Sequence, residues 1–431
     1  MPPGEPTSPP PPALPRLMDG PVPPAVPRLL NGPIPVPEPL PREVLEALGS
    51  IRRRSRLVRS PIWATWQSEV ETRTSALVHG IPRTAAPRPP RSFLRVATWN
   101  IQRGLRLEAL RGVLRGHPDL QDLDVLMLNE VDLGMARSRN REVAAEVAEA
   151  LGMSHVFGNS YLCLDAGDPV DRLRGEEGQN THAMHGNAIL SRWPLRRACN
   201  VPVFVTKDKF HSSEKRLGFK HALWAEAETP LGPVVLASAH LDSVASSRQR
   251  AAQLRGLVAS LPPDLPVVFG GDLNTHTYDV SSTPRLMQNL WQKAVRGGFP
   301  HAIYHYMHPW EVYEAPVFQV LEEAGFHWRD CNDLSRGTLR YEVGTFESES
   351  AVREHLPGFA VWVLRWRLRP WNGVAPLRMD WMAVRGLRPL SDDEVTEPDG
   401  RKSRGPRVVE RPLWQGTRIS DHDPLVLDAA P

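Results

Sequence analysis

From residue 93 onward the chain alternates between two textures. Apolar runs of strand length are separated by stretches in which apolar residues return every three or four positions. Residues 94–100 and 124–130 are such runs, each closing on a polar side chain, Asn100 and Glu130. Residues 107–114 and 142–151 have helical spacing, and Gly152 punctuates the second. Further strands are predicted over 186–192, stopped by Trp193-Pro194, and over 266–274. A hairpin is predicted from 220–228 and 233–240 about Pro230-Leu231-Gly232, followed by a helix over Ser247–Ser260. The last strands are 378–384, with Asp380 near its start, and 425–427, entered through Pro424. Strands interleaved with helices make an α/β fold. Polar residues that end buried strands gather on one rim of a sheet, where a ligand can reach them. Asn100 and Glu130 are then rim neighbours on adjacent strands.

Ahead of residue 93 the pattern is different. Residues 1–41 are proline-rich, and 22 of the 44 prolines fall within the first 90 positions, too many for a continuous helix or a central strand. A twelve-residue repeat, Pro11 to Pro21 and again Pro23 to Pro33, runs through this arm. It reads as an extended or disordered tail, with a polyproline ligand for a protein partner as the functional alternative. Leucine, valine and methionine within it favour partial docking. Residues 42–91 read as a helical segment and linker. Arg42 opens a helix, and Trp63, Trp66, Val70 and Leu77 recur at helical spacings. The arginines between 52 and 59 are read as the wet side of that segment, ahead of a Pro/Ala/Arg linker over 81–91. The main domain is expected over 92–431.

Composition adds limits. A net charge of +3 in 431 residues gives no argument for wholesale coating of a nucleic acid. Cys163, Cys199 and Cys331 are too few and too far apart for a disulfide framework or a metal finger. No leader-type segment and no apolar run of membrane-spanning length is visible. The expectation is a cytoplasmic monomer.

The chemistry concentrates where apolar runs end. His240 closes one run, and Asp272 and Asn274 project the same way from the extended end of another, after Gly270 and Gly271. The glycines are expected to let backbone and substrate approach closely. Ser420-Asp421-His422 sits at the mouth of the last strand, where a histidine flanked by acids suits phosphate chemistry. Acids and amides in such places are costly unless they converge on water, a metal or each other. The candidate ligands are oxygen and imidazole without sulfur, a set that suits Mg²⁺, or Mn²⁺, better than Zn²⁺.

These motifs, in this order, resemble the endonuclease/exonuclease/phosphatase superfamily from about residue 94 to 429. The likeness is carried by Thr98-Trp99-Asn100-Ile101, Leu128-Asn129-Glu130-Val131-Asp132, the segment Gly186 to Arg192, Ser238-Ala239-His240-Leu241, Gly271-Asp272-Leu273-Asn274, Arg378-Met379-Asp380-Trp381 and Ser420-Asp421-His422. It implies a four-layered α/β sandwich of two mixed β-sheets flanked by helices; the proline-rich N-terminal extension is not required by the superfamily. It also implies a metal-dependent hydrolase of phosphodiesters, nuclease-like, whose phosphate-ester substrate includes nucleic acid among its candidates. The alternatives are a phosphomonoesterase or phospholipid/inositol-phosphate headgroup hydrolase, and a non-enzymatic scaffold. By resemblance, Glu130 is the principal metal ligand, supported by Asn100, and Asp421 is a second metal-side carboxylate. Asp272 orients or deprotonates the attacking water, and Asn274 holds a phosphoryl oxygen and the nucleophile in line. His240 and His422 contact the scissile phosphate, Asp380 pairs with His422, and Asn187 and Arg192 bind substrate.

One stretch departs from that pattern. Asn274 and Asp380 stand 106 residues apart, which implies an insertion around 281–377. Within it, residues 301–310 hold three histidines, read as loop packing in preference to a second metal site. Residues 361–371 alternate tryptophan and leucine with arginine, as in a strand with one apolar and one cationic face.

Overall fold

A computed structural model of the chain describes residues 25–84, 91–168, 171, 178–203, 208–276, 288, 298–342, 362 and 365–431. Two mixed sheets carry the fold. The smaller one has six strands in the order β1 (Arg28–Leu29), β7 (Leu195–Pro202), β9 (His221–Thr229), β10 (Gly232–His240), β11 (Val267–Asp272) and β14 (Asp380–Arg385). The larger runs β15 (Arg388–Pro389), β19 (Leu425–Ala430), β3 (Leu94–Arg103), β4 (Val125–Leu133), β6 (Met184–Ser191), β5 (Ser154–Cys163) and β2 (Leu77–Gly80). Two short strands join it at the side: β8 (Arg216–Gly218) on β5 and β16 (Arg407–Val408) on β19. The pairs β3/β4 and β10/β11 are parallel; the other pairs in the two sheets are antiparallel.

Alternating side chains give each sheet two apolar faces, and each face has its own partner. Between the sheets, Val96, Met127 and Ile189 of one pack with Leu236, Val268 and Met382 of the other. The outer face of the larger sheet is covered by α4 (Leu107–Gly116) and α5 (Val143–Leu151), which bury Leu110, Val113 and Val147. The outer face of the smaller sheet is covered by α6 (Ser247–Ser260) and α8 (Ala315–Glu323), through Leu254, Leu257, Val317 and Phe318. Ser246 and Gln249 close a capping box that sets the start of α6. Because α8 is built into this core, part of the stretch between Asn274 and Asp380 is structural rather than appended.

Near the N-terminus, α1 (Arg42–Ser50), α2 (Arg54–Leu57) and α3 (Pro61–Thr74) precede β2. Ser60 caps α3 by accepting from the Trp63 amide at 3.2 Å, with Pro61 at the first helical position. The helical reading of Leu77 is corrected: α3 ends at Thr74, and Leu77 opens β2, paired with Gly158. The first copy of the proline repeat lies outside the described residues. The second is docked, with Arg28–Leu29 pairing with β7 and Leu30 buried, and Leu40 beyond it is buried as well. Deleting residues 1–41 is therefore expected to cost about 3–6 kcal/mol, the burial of two leucines. Urea unfolding measures this, and an unchanged midpoint would show that the docked copy contributes nothing.

Three further expectations are corrected. Residues 301–307 are not a loop but belong to α7 (Gly298–Met307), where the one-turn spacing stacks Tyr304 on His308 and sets His301 edge-on to His305. Residues 362 and 365–367 are helical, not a strand, and Trp362 and Trp366 are both exposed. Gly270 and Gly271 serve the fold: a Cβ on Gly270 would meet Thr98 and Met127 of the facing sheet. One on Gly271 would lie 2.0 Å from the Ala239 carbonyl.

Candidate active site

β10 and β11 run parallel with His240 opposite Asp272, and β11 pairs with β14 so that Asp272 also faces Asp380. Three candidate side chains thus leave one sheet at one rim. The second sheet meets them through two irregularities. Its ladder slips between Asn100 and Arg103 and again between Leu128 and Val131, and Glu130 (φ 52°), Gln102 (φ 48°) and Arg103 (φ 68°) adopt left-handed backbone. Non-glycine residues take that conformation at a cost, and functional sites are where such costs collect. Asn100 and Glu130 are therefore neighbours in mid-strand bulges, not strand ends as expected. The Asn100 amide donates to Glu130 Oε1 at 3.3 Å and to Asp272 Oδ2 at 3.1 Å, tying the two sheets together.

His422 enters from the mouth of β19. Trp99 Nε1 donates to its carbonyl at 2.9 Å, and Ser420 Oγ donates to the Asn100 carbonyl at 2.7 Å. Its Nδ1 lies 2.7 Å from Asp380 Oδ2, and its Nε2 lies 3.8 Å from Asp272 Oδ2. Thr338, from the long intervening stretch, holds Asp380 in place by accepting from its amide at 3.1 Å. Asp272 Oδ1 accepts from the Asn274 amide at 2.8 Å, and Asn274 (φ 49°) donates through its side chain to the Leu241 carbonyl at 2.9 Å. His240 Nε2 stands 3.6 Å from Asp272 Oδ2.

These groups open onto a pocket of about 280 Å³, lined by Glu130, Asn187, His240, Asp272, Asn274 and His422. Its electrostatics are divided. Burial opposes a charge on His422, but the Asp380 charge and hydrogen bond, with Asp272 and Asp421 beyond, raise its pKa well above the ordinary value. Burial and the Lys220 ammonium press His240 well below the ordinary value, so it is neutral. Burial would push the Glu130 carboxyl up, yet the Arg103 guanidinium and the charged His422 hold it well below the usual carboxylate range. Burial lifts Asp272 to about 7, against the pull of His422 and with the push of Asp380. Asp272, Asp380 and His422 converge closely enough to be compatible with a divalent metal ion. The Asp380–His422 hydrogen bond takes up His422 Nδ1 and Asp380 Oδ2, whereas Glu130 presents an ionised carboxylate to the pocket, with Asn100 as its hydrogen-bond donor among the described residues and Arg103 3.9 Å away.

Two expected residues stand elsewhere. Arg192 is not in the pocket; its guanidinium caps the carbonyls of Leu123 and Leu151, and its amide donates to the Asp124 carbonyl, where β4 begins. Six residues of strand separate it from Gly186, roughly 20 Å, which puts it at the opposite rim from the pocket. Asp421 is half-buried, accepts from Ser420 Oγ at 3.2 Å, and does not line the pocket. Sequence reasoning missed Asn129. It is fully buried, accepts from the Asp272 amide at 2.9 Å, and donates to Asn187 Oδ1 at 2.9 Å and Ser238 Oγ at 3.1 Å. It also missed the cations Arg103, Lys209, Arg216 and Lys220 on the wall. Lys220 donates to the Leu241 carbonyl at 2.7 Å, and burial lowers it to about 8.

The sequence profile described as "Endonuclease/Exonuclease/phosphatase family" matches residues 97–422. Among solved structures, an endonuclease/exonuclease/phosphatase from Beutenbergia cavernae DSM 12333 is 20% identical, covering 79% of this chain and 72% of that one, with a TM-score of 0.45. An AP endonuclease from Archaeoglobus fulgidus is 14% identical over 78% of this chain and 98% of that one, with a TM-score of 0.39. A family protein from Leptotrichia buccalis C-1013-b is 10% identical over 78% and 98%, with a TM-score of 0.41. No curated protein matches the chain. Among the described residues no helix is long and apolar enough to cross a membrane.

Proposed function

The chain belongs to the endonuclease/exonuclease/phosphatase family, and from that premise we propose that it is a divalent-metal-dependent phosphoesterase that cleaves a phosphodiester bond. The observation that carries this reading is the Asp380–His422 pair beside Asp272, facing an ionised Glu130 across one pocket. The donor set fits a hard cation: Glu130 is an oxygen ligand already stripped of its proton, with Asn100 behind it and no thiolate near. Bound there, Mg²⁺ or Mn²⁺ supplies Lewis-acid stabilisation of a phosphoryl oxygen. The remaining roles fall to the chain itself. Asp272, with its raised pKa, takes the proton of the attacking water or orients it. His422, charged and braced by Asp380, stabilises negative charge growing on the phosphoryl group. Neutral His240 and Asn274 position that group, Asn187 lines the wall, and Asp421 adds negative charge behind His422.

A second reading is favoured by the pocket's size and wall. A cavity of about 280 Å³ walled by Lys209, Arg216 and Lys220 suits a compact anionic ester, which is the headgroup or phosphomonoester alternative. Assaying the purified chain with Mg²⁺ against DNA, RNA, cyclic nucleotides, phospholipids and inositol phosphates separates the two. Turnover of DNA, RNA or a cyclic nucleotide supports the first reading, and turnover of phospholipids, or of inositol phosphates or other monoesters, alone supports the second. Inertness toward every ester, with Mn²⁺ also tried, would overturn both in favour of a binding scaffold.

A further inference from the structure

A second aspartate–histidine pair borders the same pocket and has no part in the chemistry above. Asp132 on β4 and His185 on β6 are cross-strand partners, and His185 Nδ1 lies 2.8 Å from Asp132 Oδ1. Asp132 is fully buried and held on both oxygens by Arg137, Nε to Oδ2 at 2.7 Å and Nη2 to Oδ1 at 2.9 Å. Arg137 is itself anchored by Glu214 at 2.8 Å. The His185 main chain is fixed as well, its amide donating to Asn159 Oδ1 at 3.0 Å. Nothing in this assembly leaves the imidazole free to turn.

Its tautomer follows from those contacts. A carboxylate clamped by a guanidinium only accepts, so Nδ1 must carry the hydrogen. Arg137 Nη2, 3.4 Å from the same nitrogen, is a second donor and too distant to compete; its charge opposes a further proton on the ring. Nε2 is therefore a bare lone pair. Among the described residues it has no hydrogen-bond partner, although the residue is only 6% exposed and lines the pocket. The neighbouring wall is made of donors, Arg103, Lys209, Arg216 and Lys220, which match phosphoryl oxygens. A phosphoryl oxygen cannot bond to Nε2, since both would be acceptors. What a neutral, oriented acceptor matches is a neutral donor, and the donor that nucleotide, glycerol and inositol esters share is a hydroxyl group of the alcohol part.

Resting on the phosphoesterase reading, we propose that His185 is a specificity-determining residue whose Nε2 accepts a hydrogen bond from a substrate hydroxyl. The pocket would then prefer phosphate esters of hydroxyl-bearing alcohols, such as ribose or glycerol units, over the same esters lacking that hydroxyl. Asp132 acts through His185 and is a positioning residue.

The test uses matched esters with Mg²⁺: ribo- against deoxyribo-dinucleotides, and the p-nitrophenyl phosphodiester of glycerol against that of propanol. Wild-type kcat/KM should favour the hydroxylated member of at least one pair by about tenfold or more. His185→Asn retains a donor for Asp132 and removes the acceptor at Nε2, so the preference should fall to within about twofold. His185→Gln retains a polar atom near the Nε2 position and should keep part of the preference, which guards against one variant failing to fold. Equal losses on both members of every pair would assign His185 a structural role or contact with metal-bound water, and overturn the proposal. So would a preference that survives in His185→Asn, or no preference in the wild type. If the wild type hydrolyses no ester at all, the phosphoesterase reading itself fails.

Discussion

His422→Ala is expected to lower kcat by about 10²–10⁴, the usual scale for a positioned acid–base or charge-stabilising group. Asp380→Ala is expected to do nearly the same. The reason is geometric: Asp380 Oδ2 sits 2.7 Å from His422 Nδ1 and is the chief source of the charge that His422 keeps against its burial. Without Asp380 the ring loses its main counter-charge and its orientation. Since the two act as one unit, the double variant should be little worse than either single. The measurement is kcat on whichever ester of the assay panel turns over best, in all four members of the cycle. Losses that multiply in the double variant would show that the residues act independently. Wild-type turnover in His422→Ala would remove the residue from the chemistry.

The second large effect concerns the metal. Exhaustive chelation should reduce hydrolysis to background, and Mg²⁺ or Mn²⁺ should restore it. Glu130→Gln should lower kcat/KM by at least about 10²-fold, because the site loses its one pocket-facing carboxylate held ionised by a positive field. A binding readout separates this from a general loss of activity. Added Mg²⁺ should raise the thermal midpoint of the wild type, as any ligand of the native state does, and should leave that of Glu130→Gln unmoved. An equal Mg²⁺ shift in both proteins would place the ion elsewhere, with the Asp272, Asp380 and His422 cluster the next candidate. Full activity after chelation would end the metal-dependent reading.

Much of this site was legible because polar residues that close apolar runs are conspicuous. His240, Asp272 and Asp380 do stand at strand termini on one rim. Arg192, assigned to the substrate by resemblance, stands elsewhere for a definite reason. β6 runs antiparallel to β4, so the end of β6 that reaches the pocket is its beginning, with His185 and Asn187, and Arg192 emerges at the far rim. Strand direction is not written in a single apolar run. Asn129 was hidden differently: inside an apolar run an amide gives no sign that it will meet three partners from other strands. Arg103 depends on consecutive left-handed residues that no propensity foretells. The helix over α7 was missed because its histidines drew attention from the four-residue spacing that stacks its aromatic rings.

One contact bears on the order in which this molecule comes together. The Trp99 indole is bonded to the His422 carbonyl across 323 residues of sequence, and β19 lies inside the larger sheet, between β15 and β3. Closing so long a loop is entropically unfavourable and is postponed until nearer contacts have formed. Helices and local hairpins can therefore form in a chain that is still chemically inert, and competence would arrive with the last strand. In refolding from urea, helical circular dichroism should recover ahead of hydrolytic activity, and simultaneous recovery would count against this order. The onset of hydrolysis would then be a clock for the slowest event in the folding of the chain.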